Sequence, residues 1–378
     1  NLQKMIVFQY NLQQETLYMQ NNKKITMSQA IGEATVEAME KDNGIFVIGE
    51  GVTDPKKIFG TTSGLIEKFG KERVIEAPIS ENGLMGFCIG SALSGMRPIL
   101  IHQRVEFALL SMEQIINNAA KMHYVSNGKH NVPVVVRLIV GRGWGQGPAH
   151  SQSLEPLFAY IPGLRVIMPA FANDAKGMML AALSENIPTI FIEHRWCHYV
   201  MGEVSKNTSN ITLDGPAVIK TGSDITIVAT SYMLYEVLLA SEILNEFDIS
   251  IEIIDLRIIK PLKLQKVIES VSKTKKLLCV DTGFREYGLG AEISATISEI
   301  LFDQLSKPVV RIGLPDRPTP SSRHLAADYY PTAETIIREI GKIFELNSTK
   351  TEKMIEILNI KKPDIRADVP NPLFKGPF

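Results

Sequence analysis

Short β-branched apolar runs alternate with segments of helical periodicity along most of this chain, and this alternation constrains the fold more than any other feature. In the first half the apolar runs cover residues 45–50, 98–102, 132–140, 164–168 and 189–193. Helical segments are predicted from Ile25 to about Lys41 and at 82–95, 111–125 and 173–185. Nearly continuous apolar runs of this length are typical of parallel strands buried on both faces. The first half is therefore predicted to form a parallel sheet covered by helices on both sides.

The second half repeats the alternation. Strands are predicted at 225–230, 249–256, 276–280 and 308–312, and helices at 232–246, 263–272 and 288–302. The polar, turn-rich segment from Gly202 to Gly215 separates the two halves and is the best candidate for a domain boundary. The sequence thus predicts an α/β protein with two parallel-sheet three-layer domains, over residues 25–205 and 218–345, joined by a linker over 206–217.

The two ends of the chain do not share this alternation. Residues 1–24 are polar and rich in Gln and Asn, which leaves open a flexible arm, a partner-binding segment or residues foreign to the native protein. Residues 346–378 are predicted to form a helix and an extended tail. The tail, from Asp368 to Phe378, has no strand of its own domain to pair with. We expect it to be disordered or, given its two Phe residues, to lie on another subunit.

Composition excludes several classes of protein. Lys and Arg total 40 and Asp and Glu total 41, so no net basic charge indicates a nucleic-acid partner. No apolar run approaches the roughly 18 residues of a membrane span, and the first residues lack the basic-then-apolar order of a signal peptide. Cys88, Cys197 and Cys279 lie far apart in apolar runs, which indicates reduced, buried thiols rather than a zinc site or disulfides. We therefore expect a protein of the cytoplasm or an organelle matrix, not a secreted one.

The stretch from Glu76 to Gly95 is the strongest candidate for a functional site. Pro78 opposes a helical start before it, and Ser80 is a suitable N-cap for a helix that begins at about Glu81. Glycines stand at positions 83, 86, 90 and 95, and each glycine inside a helix costs roughly 1 kcal/mol relative to alanine. Four of them indicate close approach of another backbone or a ligand. Glu81 then either acts on a ligand or, like any acid in a first helical turn, complements the helix dipole.

The same stretch resembles the β subunit of the thiamine-diphosphate-dependent 2-oxo acid dehydrogenase E1 component, a member of the transketolase-like superfamily. The matching segments are 77–83, 86–90, 95–99, 114–121 and 150–152, together with Phe107. The similarity extends over about residues 25–345. It implies that the first domain is a thiamine-diphosphate pyrimidine-binding domain and that the second is a transketolase C-terminal-like domain.

The resemblance also implies the site residues. Glu81 would hydrogen-bond N1′ of the aminopyrimidine of thiamine diphosphate, and Phe107 would pack on that ring. Gln103 would contact the cofactor where better-known members carry an apolar residue. His150, which follows the glycine-rich run 141–147, would lie near the substrate. The residues alone also allow Phe107 to be a core aromatic and His150 to be a structural loop histidine.

The chain lacks the part of the family's site that holds the diphosphate. The family's other subunit carries Gly-Asp-Gly and a downstream Asn that bind Mg²⁺, whereas the nearest match here, Asp214-Gly215-Pro216, is predicted to be a turn. The resemblance therefore implies half a site, no metal ligands in this chain, and an α-type partner in an α2β2 heterotetramer. The implied reaction is decarboxylation of a pyruvate-like 2-oxo acid, with transfer of the acyl group to a lipoyl carrier on an acyltransferase.

Departures from the family pattern leave other functions open. His102, Arg104 and Glu106 are unusual after the Arg97-Pro98 strand, and the segment 193–199 is atypical. They motivate an alternative, a split transketolase-like enzyme that transfers the acyl or ketol unit to an aldehyde or sugar. A non-catalytic scaffold subunit is a further alternative. The family's potassium loop would lie at 182–187, and its acidic and amide positions read Glu185 and Ile187, so the ion is not carried over. The oxo acid, the acyl acceptor and the partner's identity stay open.

Overall fold

The computed structural model describes residues 22–143, 145–206, 208, 211–361 and 368–369. Its strands are β1 (Lys23–Thr26), β2 (Ile45–Gly49), β3 (Val74–Glu76), β4 (Arg97–His102), β5 (Val135–Val140), β6 (Arg165–Ile167), β7 (Thr189–His194), β8 (Met201–Val204), β9 (Ala217–Lys220), β10 (Ile225–Ala229), β11 (Ile251–Asp255), β12 (Ile258–Lys260), β13 (Leu277–Phe284) and β14 (Val310–Leu314). Every residue of β2, β5, β7, β10 and β11 is buried. This burial on both faces explains why their sequences are apolar without alternation.

The helices lie between these strands. They are α1 (Met27–Lys41), α2 (Leu65–Phe69), α3 (Glu81–Leu93), α4 (Met122–Val125), α5 (Gly147–His150), α6 (Glu155–Ala159), α7 (Ala172–Ser184), α8 (Met233–Asn245), α9 (Gln265–Thr274), α10 (Leu289–Leu301), α11 (Arg323–Ala326), α12 (Ala333–Ile343) and α13 (Ser348–Lys361). Across the described residues, no helix is both long enough and apolar enough to cross a membrane.

Two parallel sheets form the framework. The larger has seven strands in the order β12-β6-β7-β5-β4-β2-β3, and the smaller has five in the order β14-β13-β10-β11-β9. All neighbours are parallel except the edge strands β12 and β9, which run antiparallel to β6 and β11. The predicted α/β class with two parallel sheets is confirmed. Strand β12 lies within residues 218–345 yet pairs with the first sheet, so a strand of the second half completes the first.

The start of the first helix differs from the prediction. Ile25 and Thr26 belong to β1, which pairs antiparallel with β8, and α1 begins only at Met27. The side chain of Thr26 accepts a hydrogen bond from the N–H of Gln29 at 3.2 Å, and the Gln29 side chain accepts one from the N–H of Thr26 at 2.9 Å. This capping box fixes the helix start one residue after the strand.

The helix predicted over 111–125 is not a single α-helix. A 3₁₀ segment covers Val105–Ser111, a wider π-helical turn covers Gln114–Ala119, and α4 is one turn long. A wider turn of this kind is frequent near functional sites. This segment carries Phe107 away from the end of β4 and back toward α3.

The ends of the chain are described only in part. Residues 1–21 and most of the predicted tail lie outside the described residues, whereas Lys23 and Lys24 pair in β1. Asp368 is 2% exposed, and its carbonyl oxygen lies where a side chain at Gly143 would begin. At this point the tail contacts the first domain of its own chain, whereas the sequence led us to expect that the tail would be disordered or would lie on another subunit. Cys88, Cys197 and Cys279 are buried free thiols, as predicted.

Candidate active site

The carboxyl ends of two parallel strands and the start of a helix meet at one edge of the larger sheet. Glu50 follows β2, Gln103 follows β4, and Glu81 is the first residue of α3. Parallel α/β sheets bind their ligands at this edge. A narrow pocket there is lined by Glu50, Glu81, Leu84, Ile101, His102, Gln103 and Phe107. The structure thus brings together three of the four site residues that the sequence predicted, Glu81, Gln103 and Phe107.

Glu81 is a buried carboxylate at the start of a helix. Its side chain is 8% exposed and lies at the N-terminus of α3, where the unpaired backbone N–H groups favour a negative charge. In the described part of the chain, no hydrogen bond or ion pair from another residue reaches the Glu81 carboxylate. The chain therefore shields this acid from water and leaves its oxygens available to a ligand.

Glu50 is a second acid of the pocket, and the sequence did not identify it. Burial, and then the nearby charges of Glu81 and Glu76, raise the pKa of Glu50. Glu50 and Glu81 repel each other when both are ionised, so the pocket favours a ligand that brings a proton or a positive charge. The signal available in the sequence was the position of Glu50, directly after a buried strand predicted to be parallel.

His102 and Gln103 add a neutral face to the pocket. The amide Nε2 of Gln103 donates to the carbonyl oxygen of Glu50 at 2.9 Å, which ties the end of β4 to the end of β2. His102 is 5% exposed, and burial lowers its pKa to about 4, so the imidazole is uncharged near pH 7. Its Nε2 atom is buried without a hydrogen-bond partner in the described part of the chain. A buried polar atom in this state indicates that a ligand or water completes the pocket.

Phe107 connects this pocket to His150. The two rings lie 5.8 Å apart, edge to face at 72°. His150 ends the short helix α5, its side chain is 43% exposed, and its Nδ1 atom is hydrogen-bonded to the carboxylate of Glu106. The pocket, the aromatic ring and the histidine thus form one continuous surface. Glu106 was noted only as an unusual residue in the sequence, and the structure makes it the partner of His150.

The atypical segment 193–199 forms buried structure beside the site. Glu193 accepts hydrogen bonds from Arg137 Nε at 2.5 Å and Nη2 at 2.9 Å, and its Oε2 lies 2.9 Å from His198 Nε2. Burial alone would raise the pKa of Glu193, but the charge of Arg137 and the hydrogen bonds from His198 and Arg137 lower it to about 2. Arg195 donates to Gln146 Oε1 at 3.0 Å in the glycine-rich run before His150. The segment therefore holds the glycine-rich run that precedes His150.

The donor set suits a heteroaromatic ring better than a metal ion. The described residues contain no group of three His, Cys, Asp or Glu side chains arranged to hold a metal. The pocket offers two carboxylates, an uncharged imidazole, an amide and an aromatic ring. Carboxylates accept hydrogen bonds from ring N–H groups, and the face of Phe107 can stack on a planar ring. Glu185, in the segment 182–187 to which the family's potassium ion was not carried over, pairs with Arg165 at 2.8 Å.

Two family models match this chain, one in each half. The family "Transketolase, pyrimidine binding domain" matches residues 23–197, and "Transketolase, C-terminal domain" matches residues 216–336. A solved structure titled "Split gene transketolase, inactive beta4 tetramer" has the same fold, with a TM-score of 0.67 and 22% identity. That superposition covers 84% of this chain and 97% of the other.

Curated relatives are similar over most of their length. The pyruvate dehydrogenase E1 component subunit beta of Rickettsia bellii is 37% identical over 85% of this chain and 98% of its own. The mitochondrial pyruvate dehydrogenase E1 component subunit beta of Saccharomyces cerevisiae is 34% identical over 86% of this chain and 90% of its own. The 2-oxoisovalerate dehydrogenase subunit beta of Bacillus subtilis is 37% identical over 85% of this chain and 95% of its own.

Proposed function

Since this chain belongs to the family of E1 β subunits of the thiamine-diphosphate-dependent 2-oxo acid dehydrogenases, we propose that it forms the pyrimidine half of the active site of such an enzyme. The observation that carries the proposal is the pocket in which Glu50 and Glu81 face each other beside Gln103, His102 and Phe107. The substrate is a small 2-oxo acid, and the enzyme releases its carboxyl group as CO2.

Glu81 is the acid that acts on the cofactor. Thiamine diphosphate, when bound, supplies the electron sink for decarboxylation. The Glu81 carboxylate would accept a hydrogen bond from the aminopyrimidine ring and would hold a proton on a ring nitrogen. Its burial strengthens this hydrogen bond, because water does not compete for its oxygens. Phe107 holds the ring from one side, and the Gln103 amide, fixed on the carbonyl of Glu50, limits the pocket at its floor.

His150 and Glu106 act on the substrate side. The hydrogen bond between His150 Nδ1 and Glu106 fixes the orientation of the imidazole and leaves Nε2 available to a substrate. With its side chain 43% exposed, His150 can reach a substrate bound over Phe107. An N–H group of the imidazole can donate a hydrogen bond to a carboxylate or carbonyl oxygen of a 2-oxo acid.

A partner chain supplies the diphosphate and Mg²⁺ half of the site. The glycines of α3 support this proposal, because the chain itself makes little use of their small size. A side chain at Gly90 would meet nothing within 4 Å, and one at Gly86 would meet only Gln114 at an ordinary 3.7 Å. Exposed apolar side chains lie on and near the same helix: Ile79, Phe87, Leu93 and Leu110. We propose that an α-type subunit covers this surface in an α2β2 heterotetramer, and that a lipoyl group receives the acyl unit.

The test begins with the assembled complex. This chain is co-expressed with the chain that carries Gly-Asp-Gly and a downstream Asn, and native mass spectrometry of the purified complex should give equimolar α2β2. Decarboxylation is then measured with thiamine diphosphate, Mg²⁺ and a panel of 2-oxo acids, with reductive acylation of oxidised lipoamide as the second readout. Glu81→Gln should lower turnover by about 10²- to 10⁴-fold. Glu72→Gln, which changes an exposed acid of the same segment, should leave turnover unchanged. A complex in which Glu81→Gln is fully active would refute the proposal.

A further inference from the structure

The loop over residues 141–147, which leads to His150, does not fix its own conformation. It contains glycines at positions 141, 143, 145 and 147, and the last three have positive φ values of 62°, 69° and 70°. Glycine has more backbone freedom than any other residue, so a chain with this spacing samples many conformations unless outside contacts hold it. Because α5 (Gly147–His150) follows the loop directly, the position of His150 depends on those contacts.

Arg142 makes the most extensive of these contacts. Its guanidinium carbon lies 4.9 Å from the ring centroid of Trp196, 5.1 Å from that of Tyr232 and 4.6 Å from that of Tyr330. Its Nη2 atom donates to the carbonyl oxygen of Pro331 at 3.1 Å. The side chain is 5% exposed, so three aromatic faces and one carbonyl replace water around the charge. We call these residues the arginine box: Arg142, Trp196, Tyr232, Tyr330 and Pro331.

The box holds a cation without a counter-ion. Within the described residues, no carboxylate pairs with Arg142, and its Nε atom is buried without a hydrogen-bond partner. A buried charge is expensive unless hydrogen bonds or aromatic faces replace its hydration. For stability alone, an apolar side chain of similar volume would fill this place at less cost. Arg142 therefore has a role beyond stability, and this role depends on the directed contacts of its planar guanidinium.

The box joins two halves of the molecule at the loop. Trp196 belongs to the segment after β7 of the larger sheet, whereas Tyr232 precedes α8 and Tyr330 precedes α12 on the smaller sheet. The hydroxyl of Tyr330 also accepts a hydrogen bond from the N–H of Gly143 at 2.7 Å. Tyr232 stacks on His194 with ring centroids 5.2 Å apart. Two successive residues of the loop are thus fixed to the second half of the chain.

We infer that Arg142 is a positioning residue: it anchors the glycine loop in the arginine box and thereby places His150 over the pocket. The inference rests on the proposed role of His150 in turnover. Arg142 itself touches neither the pocket of Glu81 nor the His150 ring, so its effect passes through the backbone from Gly143 to His150. Packing of the second half against the first thus determines how well the histidine is aligned with a bound substrate.

Substitution of Arg142 in the assembled complex tests the inference. Arg142→Ala should lower kcat by about 10²-fold, the usual effect of misplacing a reacting group by about 1 Å. Thiamine diphosphate affinity should stay within twofold, because the pocket of Glu81 is intact. Amide hydrogen exchange should accelerate in residues 145–151 of the variant.

Free guanidinium should restore part of kcat in Arg142→Ala. The Arg142→Lys variant should recover little of kcat, because an ammonium lacks the planar fork of a guanidinium. Tyr330→Phe, which keeps the ring and removes the hydroxyl, should give a smaller decrease.

A matched control separates positioning from general loss of structure. Arg73 is also held by backbone carbonyls, those of Met39, Asp42 and Ile45, but at the opposite end of β2. Arg73→Ala should lower thermal stability without faster exchange in residues 145–151. Unchanged exchange in the Arg142→Ala loop would overturn the inference whatever the reaction is. An unchanged kcat in an active complex would overturn it too. An unsubstituted complex that decarboxylates no 2-oxo acid would instead count against the proposed function, and the exchange result would still decide the anchoring of the loop.

Discussion

Two acidic clusters lie at the same edge of the larger sheet and differ in how their charges are balanced. Near the carboxyl end of β7, both oxygens of Glu193 are bound by Arg137 and His198 at 2.5–2.9 Å, and the pKa of Glu193 is lowered to about 2. After β2, Glu50 lies beside Glu81 with no cation between them, and burial together with the charge of Glu81 raises the pKa of Glu50. The Glu193 carboxylate has its counter-charge within the chain, and the acids of the second cluster have none among the described residues.

The difference separates a structural group from a site. A buried acid with its cation needs nothing further and fixes the local fold. Two acids without a cation are destabilising in the free chain and are stabilised by a ligand that carries a proton or a positive charge. The same residue type at the carboxyl ends of β2 and β7, two strands of the larger sheet, thus has two uses, and the balance of charge distinguishes them. Substituting Glu by Gln at each position tests this comparison.

Glu193→Gln should have the largest effect on stability. It leaves the fully buried Arg137 without its charge partner, which costs about 3–5 kcal/mol of unfolding free energy. Urea unfolding followed by the fluorescence of the buried Trp196 measures the loss. Adding Arg137→Met to the variant should recover part of it, because the unpaired charge is then removed as well. A loss below about 1 kcal/mol would show that the cluster is not a structural ion pair.

Glu155→Gln should remove part of the loss of stability that accompanies rising pH. We expect the effect on the unfolding free energy to be roughly 1–3 kcal/mol. Burial, and then the charge of Asp281, raise the pKa of Glu155 to about 7, well above the ordinary value of 4.5. The folded chain therefore holds a proton that the unfolded chain releases, and the stability present below pH 4.5 is lost as the pH rises through 7. The thermal midpoint of the unsubstituted protein should decrease as the pH is raised from 5 to 8.5, and that of the variant should decrease less. If the thermal midpoints of the two proteins had the same dependence on pH, the raised pKa of Glu155 would be contradicted.

Glu50→Gln should have the smallest effect on the free chain. Removing one of two like charges should leave the unfolding free energy unchanged or raise it by about 0.5 kcal/mol. The same variant should bind thiamine diphosphate more weakly in the complex, because the pocket has lost part of its negative charge. Opposite signs for stability and affinity distinguish this acid from Glu193. Thermal shift assays with and without the cofactor measure both. A marked destabilisation of the free chain would place Glu50 with the structural group.

The sequence predicted the regular parts of the fold well, because they depend on local periodicity. The buried strands are recognisable from continuous apolar runs, and α3 begins at Glu81 after Ser80 as predicted, although the Ser80 side chain makes no capping hydrogen bond. The pairing of β1 with β8 was not predicted, since four-residue strands about 180 residues apart give no local signal. Strand β12 was missed for the same reason, and its pairing with β6 is set by the packing of the two halves.

The candidate site was predictable where its residues belong to local sequence motifs. Glu81, Gln103 and Phe107 were identified by resemblance, and they line one pocket, while their roles remain predictions. Glu50 was missed because a single acid after a strand is common. The arginine box could not be predicted, because its members come from four separate segments and only the tertiary fold brings them together. Charge balance is a property of the folded chain, and no local pattern shows it.

The central claim is that Glu81 is an unbalanced acid that binds the cofactor rather than a part of the scaffold. Calorimetric titration of thiamine diphosphate into the Mg²⁺-containing complex tests it directly, with Glu81→Gln compared with the exposed control Glu72→Gln. We predict that Glu81→Gln weakens binding by about 10- to 150-fold, the equivalent of about 1.5–3 kcal/mol for a hydrogen bond to a charged group, while thermal stability without cofactor is unchanged. Equal affinity in the two variants, or a destabilised complex with normal affinity, would contradict the account.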